Sequence, residues 1–268
     1  MSKFTEERNG RGTQEWSEHT YNICVGCEHA CLYCYAKPQA AWTKAELRVP
    51  GAWAKQKLNP NCSRLGAEVG RKGVVMFPTS HDITPNFLEP SLTTILNLLR
   101  NNKVLIVSKP HLSVIKVLCK ELKHAKDDVM FRFTICSLNQ DLCSFWEPGA
   151  PSITERLQCL RYAFERGWAT SISAEPMLDD LEGTLALADR VDPLVTDTIW
   201  LGKMGPIQWQ YNSHVPGFVE AGQRIKALQT DENILRLVAA FAGRKKIRWK
   251  DSIKKVLAAQ EELAKAAA

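Results

Sequence analysis

An α/β fold built on a parallel sheet is what this 268-residue sequence predicts, and three observations carry it. Six short runs are rich in Val, Ile, Phe and Thr without clean alternation, the pattern of strands buried on both faces. Segments with apolar residues at helical spacing lie between them. The order strand–helix–strand repeats, which gives a parallel sheet with right-handed crossovers, open or closed into a barrel.

The expected strands are "TYNIC" (20–24), "GVVMFPT" (73–79), "KVLIVSK" (103–109), "VMFRFTIC" (129–136), "ATSISAE" (169–175) and "DTIWLG" (197–202). Between them, "SLTTILNLLRNN" (91–102) carries Leu92, Ile95, Leu96 and Leu99 on one helical face, and "LSVIKVLCKELKHA" (112–125) carries Val114, Ile115, Leu118 and Leu122. The best delimited helix is "ITERLQCLRYAFERG" (153–167). Ser152 and Glu155 form a capping box at its start, and Gly167 suits its C-terminal stop. Further on, "DENILRLVAAFAG" (231–243) reads as a helix, "RKKIRWK" (244–250) is basic around one tryptophan, and "DSIKKVLAAQEELAKAAA" (251–268) is a strong helix former. The organisation expected is a polar segment 1–17, a core 18–225 and a basic, helical extension 226–268.

A hydrophobic fraction of 45% suffices for one large domain or two small ones. No apolar run reaches the roughly 18 residues of a membrane span, and the polar start lacks the apolar centre of a secretory signal. The expected setting is therefore cytoplasmic, without a membrane partner, where thiols stay reduced. Nine cysteines there point to metal or catalysis before disulfides. The net charge of +6 suits either an ordinary basic surface or an anionic partner such as nucleic acid.

Four of the cysteines fall in "CVGCEHACLYC", Cys24 to Cys34. Structural zinc sites join two knuckles separated by a dozen or more residues, whereas the middle gap here is three. One tight loop readily presents three thiolates to one face, as a cuboidal [4Fe–4S] cluster requires, and leaves one iron open. Cys24 then reads as a small core residue ending the first strand.

The inner three, Cys27-x3-Cys31-x2-Cys34 with Tyr33 in the aromatic slot, resemble the C-x3-C-x-aromatic-C signature of radical S-adenosylmethionine (SAM) enzymes. The resemblance implies a partial (β/α)6 radical SAM barrel with a C-terminal helical extension. Farther on, residues 133–168, with Ser137-Leu138-Asn139, Glu147 and Glu155-Arg156-Leu157, resemble the spore photoproduct lyase group. "SISAEPML" (171–178) and "LGKMG" (201–205) are similar to a phage-encoded radical-SAM-like family. Together the likeness covers roughly residues 18–205.

The family implies a [4Fe–4S] cluster on Cys27, Cys31 and Cys34, SAM on its open iron, and an electron donor such as flavodoxin or ferredoxin. It also implies that Lys109 contacts the SAM carboxylate, that Ser137 lies near the same ligand, that Thr79, Ser80 and Asp82 hold the amino group, and that Tyr33 belongs to the cofactor loop. By position at the barrel mouth, Glu175 and Lys203 are the candidate catalytic residues, each with solvent as the plain alternative. Glu147 and Arg156 are expected to form a salt bridge that fixes a loop. One departure stands out. The lyases carry a cysteine hydrogen donor after the second strand, and "MFPTSHD" has none. Cys136, beside Ser137, is the candidate substitute, with a strand-end core cysteine as the plain alternative.

The function expected is SAM cleavage to a 5′-deoxyadenosyl radical that abstracts a hydrogen atom from a substrate. A nucleic-acid base or nucleotide leads, since "GRKKIRWKDSIKK" is basic and Trp249 could stack on a base, with a solvated edge strand and helix as the plain alternative for that stretch. The alternatives are a peptide- or small-molecule-modifying enzyme of the same kind and a non-catalytic nucleic-acid-binding module stabilised by zinc or a cluster.

Overall fold

The structure is a computed structural model that describes residue 4, residue 8 and residues 10–62, 72–207 and 209–266. Residues 1–3, 5–7 and 9 of the expected N-terminal segment and 267–268 of the expected final helix lie outside the described residues.

Among the described residues nine strands are formed: β1 (His19–Thr20), β2 (Cys24–Val25), β3 (Lys57–Leu58), β4 (Val74–Phe77), β5 (Lys103–Ser108), β6 (Val129–Thr134), β7 (Ala169–Ala174), β8 (Ile199–Leu201) and β9 (Ile247–Trp249). Seven of them make one curled, half-barrel sheet in the order β1-β4-β5-β6-β7-β8-β9. Every neighbouring pair in it is parallel. The helices are α1 (Ala36–Thr43), α2 (Leu88–Leu98), α3 (Leu112–Glu121), α4 (Gln140–Trp146), α5 (Ile153–Glu165), α6 (Leu181–Val191), α7 (Trp209–Asn212), α8 (Phe218–Leu228), α9 (Asp231–Ala240) and α10 (Asp251–Ala266). Among the described residues no helix is long and apolar enough to cross a membrane.

The unbroken apolar runs of the strands serve two cores. Val75, Phe77, Val104, Ile106, Phe131 and Phe133 face the helices. Their neighbours Val74, Met76, Leu105, Val107 and Met130 face the inner side with Trp200, where Phe4 and Trp16 close over them. Successive side chains point to opposite faces, so a strand buried on both must be apolar throughout. Arg132 on β6 also belongs to the inner face. Its guanidinium lies 4.6 Å from the Trp16 ring and donates through Nε to Ser171 Oγ at 3.0 Å.

Two expectations change in detail. "TYNIC" is not one strand. Asn22 turns the chain out of the sheet, accepting from the Thr79 and Ser80 amides at 2.7 and 2.9 Å, and Cys24–Val25 instead pairs antiparallel with β3. Ser152 does cap α5, accepting from the Glu155 amide at 3.2 Å, and Gly167 takes its left-handed conformation at φ 71°. The Glu155 carboxylate, however, reaches the Leu112 amide at 2.8 Å, so the reciprocal half of the box is spent on starting α3. The C-terminal residues 226–268 add, besides α9 and α10, the seventh sheet strand β9.

Candidate cofactor site

Parallel strands deliver all their C-terminal ends to one rim, and the residues singled out in the sequence follow those ends. The loop after β2 carries Cys27, Cys31 and Cys34. It is a compact turn: the Ala30 amide donates to the Cys27 carbonyl at 3.1 Å and the Cys34 amide to that of Cys31 at 3.2 Å. Ala30 adopts φ 49°, a conformation costly for a residue with a Cβ. Neighbours impose it. The Cys27 amide donates to Trp53 O at 2.8 Å, the Leu32 amide to Trp146 O at 2.8 Å, and the Gly149 amide to His29 O at 3.0 Å. A Cβ on Gly149 would meet Glu28 O at 2.2 Å, so only glycine lets the segment before α5 press against this loop.

The three cysteines are free thiols. Burial pushes Cys31 up to about 12, against the pull of Lys109. It pushes Cys27 well above the ordinary thiol value with help from Asp82, and raises Cys34 as well. Thiols in such a place ionise when a positive centre compensates them. Three of them on one strained, buttressed turn fit a three-thiolate cluster. Cys24 stands apart in β2 within the main core, with burial raising it to about 11.

Beside the thiols is a buried polar knot. Asp82 accepts from Ser108 Oγ at 2.8 Å and from the Lys109 amide at 2.7 Å, and it pairs with His29 Nδ1 at 2.9 Å and Lys109 Nζ at 3.8 Å. Burial opposes its charge, but Lys109 and then His29 outweigh burial and hold the carboxyl well below the usual range. Lys109 is likewise penalised by burial, and Cys31, Asp82 and Glu147 more than restore its charge. Among the described residues its ammonium makes no hydrogen bond. Cys27, His29 and Asp82 offer ligand atoms within 4.8 Å of one another, as a metal site would. The His29–Asp82 pair and the donors on Asp82 already satisfy that carboxylate.

Tyr33 hydrogen-bonds through its hydroxyl to Glu147, which pairs with Arg156; both charged groups are about 1% exposed. The ion pair expected from the sequence is thus formed, and it anchors the cysteine loop through Tyr33. The Lys109 ammonium lies 5.6 Å from the Tyr33 ring centre. Cys136 is buried, 3.6 Å from the Tyr33 hydroxyl.

Other candidates are dispersed around the rim. Thr79 and Ser80 are held by Asn22, and Thr79 Oγ1 accepts from Asn22 Nδ2 at 2.6 Å. Ser137 is fully buried and donates to Asp179, while its oxygen accepts from the Asn139 amide at 2.8 Å. Glu175 pairs with Lys250 Nζ at 3.5 Å; burial raises its carboxyl and Lys250 pulls the other way. Lys203 points elsewhere, to Asp231 at 3.1 Å.

Sequence reasoning missed Asn22, His29, His111 and Tyr35. The first had a signal, because an asparagine inside an apparent strand marks a break. His29 Nε2 lies 3.0 Å from His111 Nε2. Tyr35 donates to Thr79 O at 2.8 Å with half its surface exposed, and burial raises the pKa of its hydroxyl, with Cys34 and Glu175 adding in the same direction. It therefore stands at the rim between the cysteine loop and Glu175.

No family model matches the chain. Its fold is that of radical SAM enzymes. It superposes on a mutant of spore photoproduct lyase with dinucleoside spore photoproduct at TM-score 0.55 and 15% identity, over 80% of this chain and 64% of that one. Superposition on Streptococcus suis SuiB bound to precursor peptide SuiA gives 0.55 and 13%, over 86% and 48%. An uncharacterized protein, ORF301 of Acidianus two-tailed virus, is 29% identical over 194 residues, 66% of this chain and 62% of the viral one. The chain thus spans less than two thirds of the length of each of these proteins.

Proposed function

We propose that this chain is a radical SAM enzyme. The observation that carries the reading is the turn of three free cysteines, two buried and Cys34 half-buried, at the C-terminal rim of a parallel half-barrel, beside a charged lysine with hydrogen-bonding capacity to spare. Cys27, Cys31 and Cys34 would hold a [4Fe–4S] cluster. Such a cluster supplies one-electron cleavage of SAM to methionine and a 5′-deoxyadenosyl radical.

The chain's own residues do the rest. Lys109, kept cationic by Asp82 and the thiol side of the site, offers its ammonium to the SAM carboxylate. Asp82 is too heavily engaged to move and serves chiefly to fix Lys109 and His29. Thr79 and Ser80, pinned by Asn22, present the chain after β4 to the SAM amino group. Ser137 shapes the floor beside Cys136. Tyr35 and Glu175 line the entrance, and the Glu147–Arg156 pair holds Tyr33 and keeps the loop rigid. An electron donor of the flavodoxin or ferredoxin kind supplies the electron.

The substrate proposed first is a nucleic-acid base or nucleotide, in keeping with the dinucleoside of the lyase structure. A peptide is the second reading, and one observation favours it. Much of the basic C-terminal stretch is consumed by the fold. Arg244 pairs with Asp189, Lys246 with Asp192 at 3.4 Å, Lys250 is buried, and Trp249 packs against Phe241 at 5.9 Å.

Anaerobic reconstitution with iron and sulfide, followed by measurement of ~400 nm absorption and of 5′-deoxyadenosine, tests the reading. Alanine at Cys27, Cys31 or Cys34 should abolish both signals, and Cys24→Ala should keep them. A wild-type protein that binds cluster but releases no 5′-deoxyadenosine with dithionite and SAM would remove the enzymatic reading.

A further inference from the structure

We infer that the exposed face of the segment 35–58 is the docking surface for a small acidic electron-carrier protein. The inference rests on the radical SAM reading for the purpose of that electron, but the surface itself is read from the fold. Within residues 35–58 the cations are Lys37, Lys44, Arg48, Lys55 and Lys57, and the only acidic residue is Glu46, so the segment carries a net charge of +4 (five less one). Among the described residues Lys44, Arg48, Lys55 and Lys57 pair with no carboxylate. Lys37 is tied to Asn212 Oδ1 at 2.7 Å. This is the reverse of the C-terminal stretch, where Arg244, Lys246 and Lys250 all have acidic partners.

Apolar surface accompanies the charge. Trp42 is 83% exposed, and Val49 and Leu58 are exposed as well. Arg48 binds Ala41 O at 2.9 Å and Trp42 O at 3.3 Å, which sets Arg48 and Val49 beside the tryptophan. A bare tryptophan beside Arg48, on a segment whose other exposed cations also lack carboxylate partners, is an association feature: the ring supplies the anchor, and the charges steer an oppositely charged partner. Small, weak interfaces of this kind suit electron-transfer encounters.

The position selects the partner. Ala36, Ala41, Leu47 and Trp53 form one small core with Cys27, and Cys34 packs on it. Helix α1 thus packs Ala36 and Ala41 against the cysteine loop and leaves Trp42 exposed. Lys55 and Lys57 flank Gln56, which accepts from the Glu28 amide at 3.1 Å, one residue from Cys27. A protein seated here stands at the back of the cluster loop. Tyr35 marks the edge of this face on the side where a substrate enters, and the rim by Glu175 stays open. In the encounter one electron leaves the carrier's reduced cofactor and enters the cluster, so the carrier is oxidised by one electron and the cluster reduced by one. No atom is transferred.

The test uses reduced flavodoxin as the probe, with the full chain as wild type, Trp42→Ala, and the double variants Lys44→Glu/Arg48→Glu and Lys55→Glu/Lys57→Glu. Fluorescence anisotropy of labelled flavodoxin reads docking with or without cluster. Bleaching of the ~400 nm band reads electron arrival. Dithionite-driven bleaching controls for cluster integrity. Charge reversal should weaken flavodoxin binding and slow bleaching at least tenfold, wild-type binding should fall steeply with salt, and dithionite bleaching should stay unchanged. Equal binding by wild type and both double variants overturns the proposal. So does a loss of single-stranded DNA binding in the variants with flavodoxin binding intact, which assigns the face to nucleic acid. If the wild type docks flavodoxin salt-sensitively but yields no 5′-deoxyadenosine with dithionite, the docking surface stands and the radical SAM reading falls.

Discussion

Two lysines are buried at the C-terminal ends of parallel strands, Lys109 after β5 and Lys250 after β9, and they are held in opposite ways. Lys250 spends its donors. Its ammonium lies 2.6 Å from Glu15 Oε2, 2.7 Å from Gly12 O and 3.5 Å from Glu175 Oε2, with the Trp16 ring centre at 4.0 Å. Lys109 has one long ion pair at 3.8 Å and otherwise faces thiols. A lysine carries three donors and no acceptor, so full satisfaction marks a structural tie and unspent donors mark a place kept for a ligand. Burial alone separates the two little, since both side chains are at most 11% exposed.

The comparison breaks first at Lys250. It joins the N-terminal segment, β7 and the start of α10, and its removal leaves the buried Glu15 with only Lys254 at 3.8 Å and takes the cation from Glu175. Lys250→Met should cost about 3–5 kcal/mol, the cost of stranding one half of a buried ion pair. A urea titration reads it. Adding Glu15→Gln should restore part of the loss; a midpoint equal to wild type for Lys250→Met would mean the tie is not structural.

Acid should act on the other lysine's neighbourhood. His81 accepts from the Ile23 amide through Nε2 at 3.2 Å, and its Nδ1 lies 3.2 Å from Asp82 O. A proton on Nε2 would oppose that amide, and burial takes the imidazole from 6.5 down to about 4. A histidine depressed in the fold takes up its proton in the unfolded chain first. Its contribution is therefore whole above pH ~6.5 and is lost progressively down to pH ~4, by up to about 3 kcal/mol. Stability measured from pH 7 to 4 should show this slope in wild type and a shallower one in His81→Gln. Equal slopes would clear His81 of the effect.

How much of this was legible follows from the same physics. β5 could be read directly, because a strand buried on two faces must be apolar at every position. α5 could be read from Ser152 and Gly167. The cysteine turn was legible as spacing. Its supports were not, since Trp53, Trp146 and Gly149 bond it across separations of 26, 114 and 120 residues, and nothing local marks a glycine chosen for a distant carbonyl. Strand β9 was legible as the alternative reading of "RKKIRWK", an edge strand, although its charge points first to an anionic partner. Arg248 and Lys250 are both accommodated in or just beyond an edge strand, and the partner that makes Lys250 affordable, Glu15, is at the far end of the chain. α8 and α1 lack long apolar runs, and α1 owes its burial to small alanines, Ala36 and Ala41.

Lys109 sharpens the comparison from the ligand side. Lys109→Met in the reconstituted protein should weaken SAM binding by about 1.5–3 kcal/mol, the worth of a charge-assisted hydrogen bond. Its urea midpoint should stay closer to wild type than that of Lys250→Met, since Asp82 keeps Ser108, His29 and a backbone amide. Calorimetry of SAM binding is the measurement. Unchanged affinity with the cluster intact would assign Lys109 to structure along with Lys250.

The smallest effect belongs to a third lysine, Lys203, which follows β8 between the other two types. Its ammonium reaches Asp231, an aspartate 72% exposed, and its own amide donates to Ser252 Oγ at 3.0 Å. Exposed pairs of this kind contribute about 0–1 kcal/mol, because solvent screens them and both side chains lose freedom. Lys203→Ala should therefore move the urea midpoint little and leave dithionite-driven 5′-deoxyadenosine formation within about twofold of wild type. Position at the rim does not by itself bring a side chain to the cysteine loop, and here the start of α9 draws it away. The outcome to look for is in substrate turnover once a substrate is in hand. A loss of a hundredfold there with SAM cleavage intact would show that Lys203 leaves Asp231 to meet the substrate, and the distinction between spent and unspent donors would then have to be drawn in the bound state.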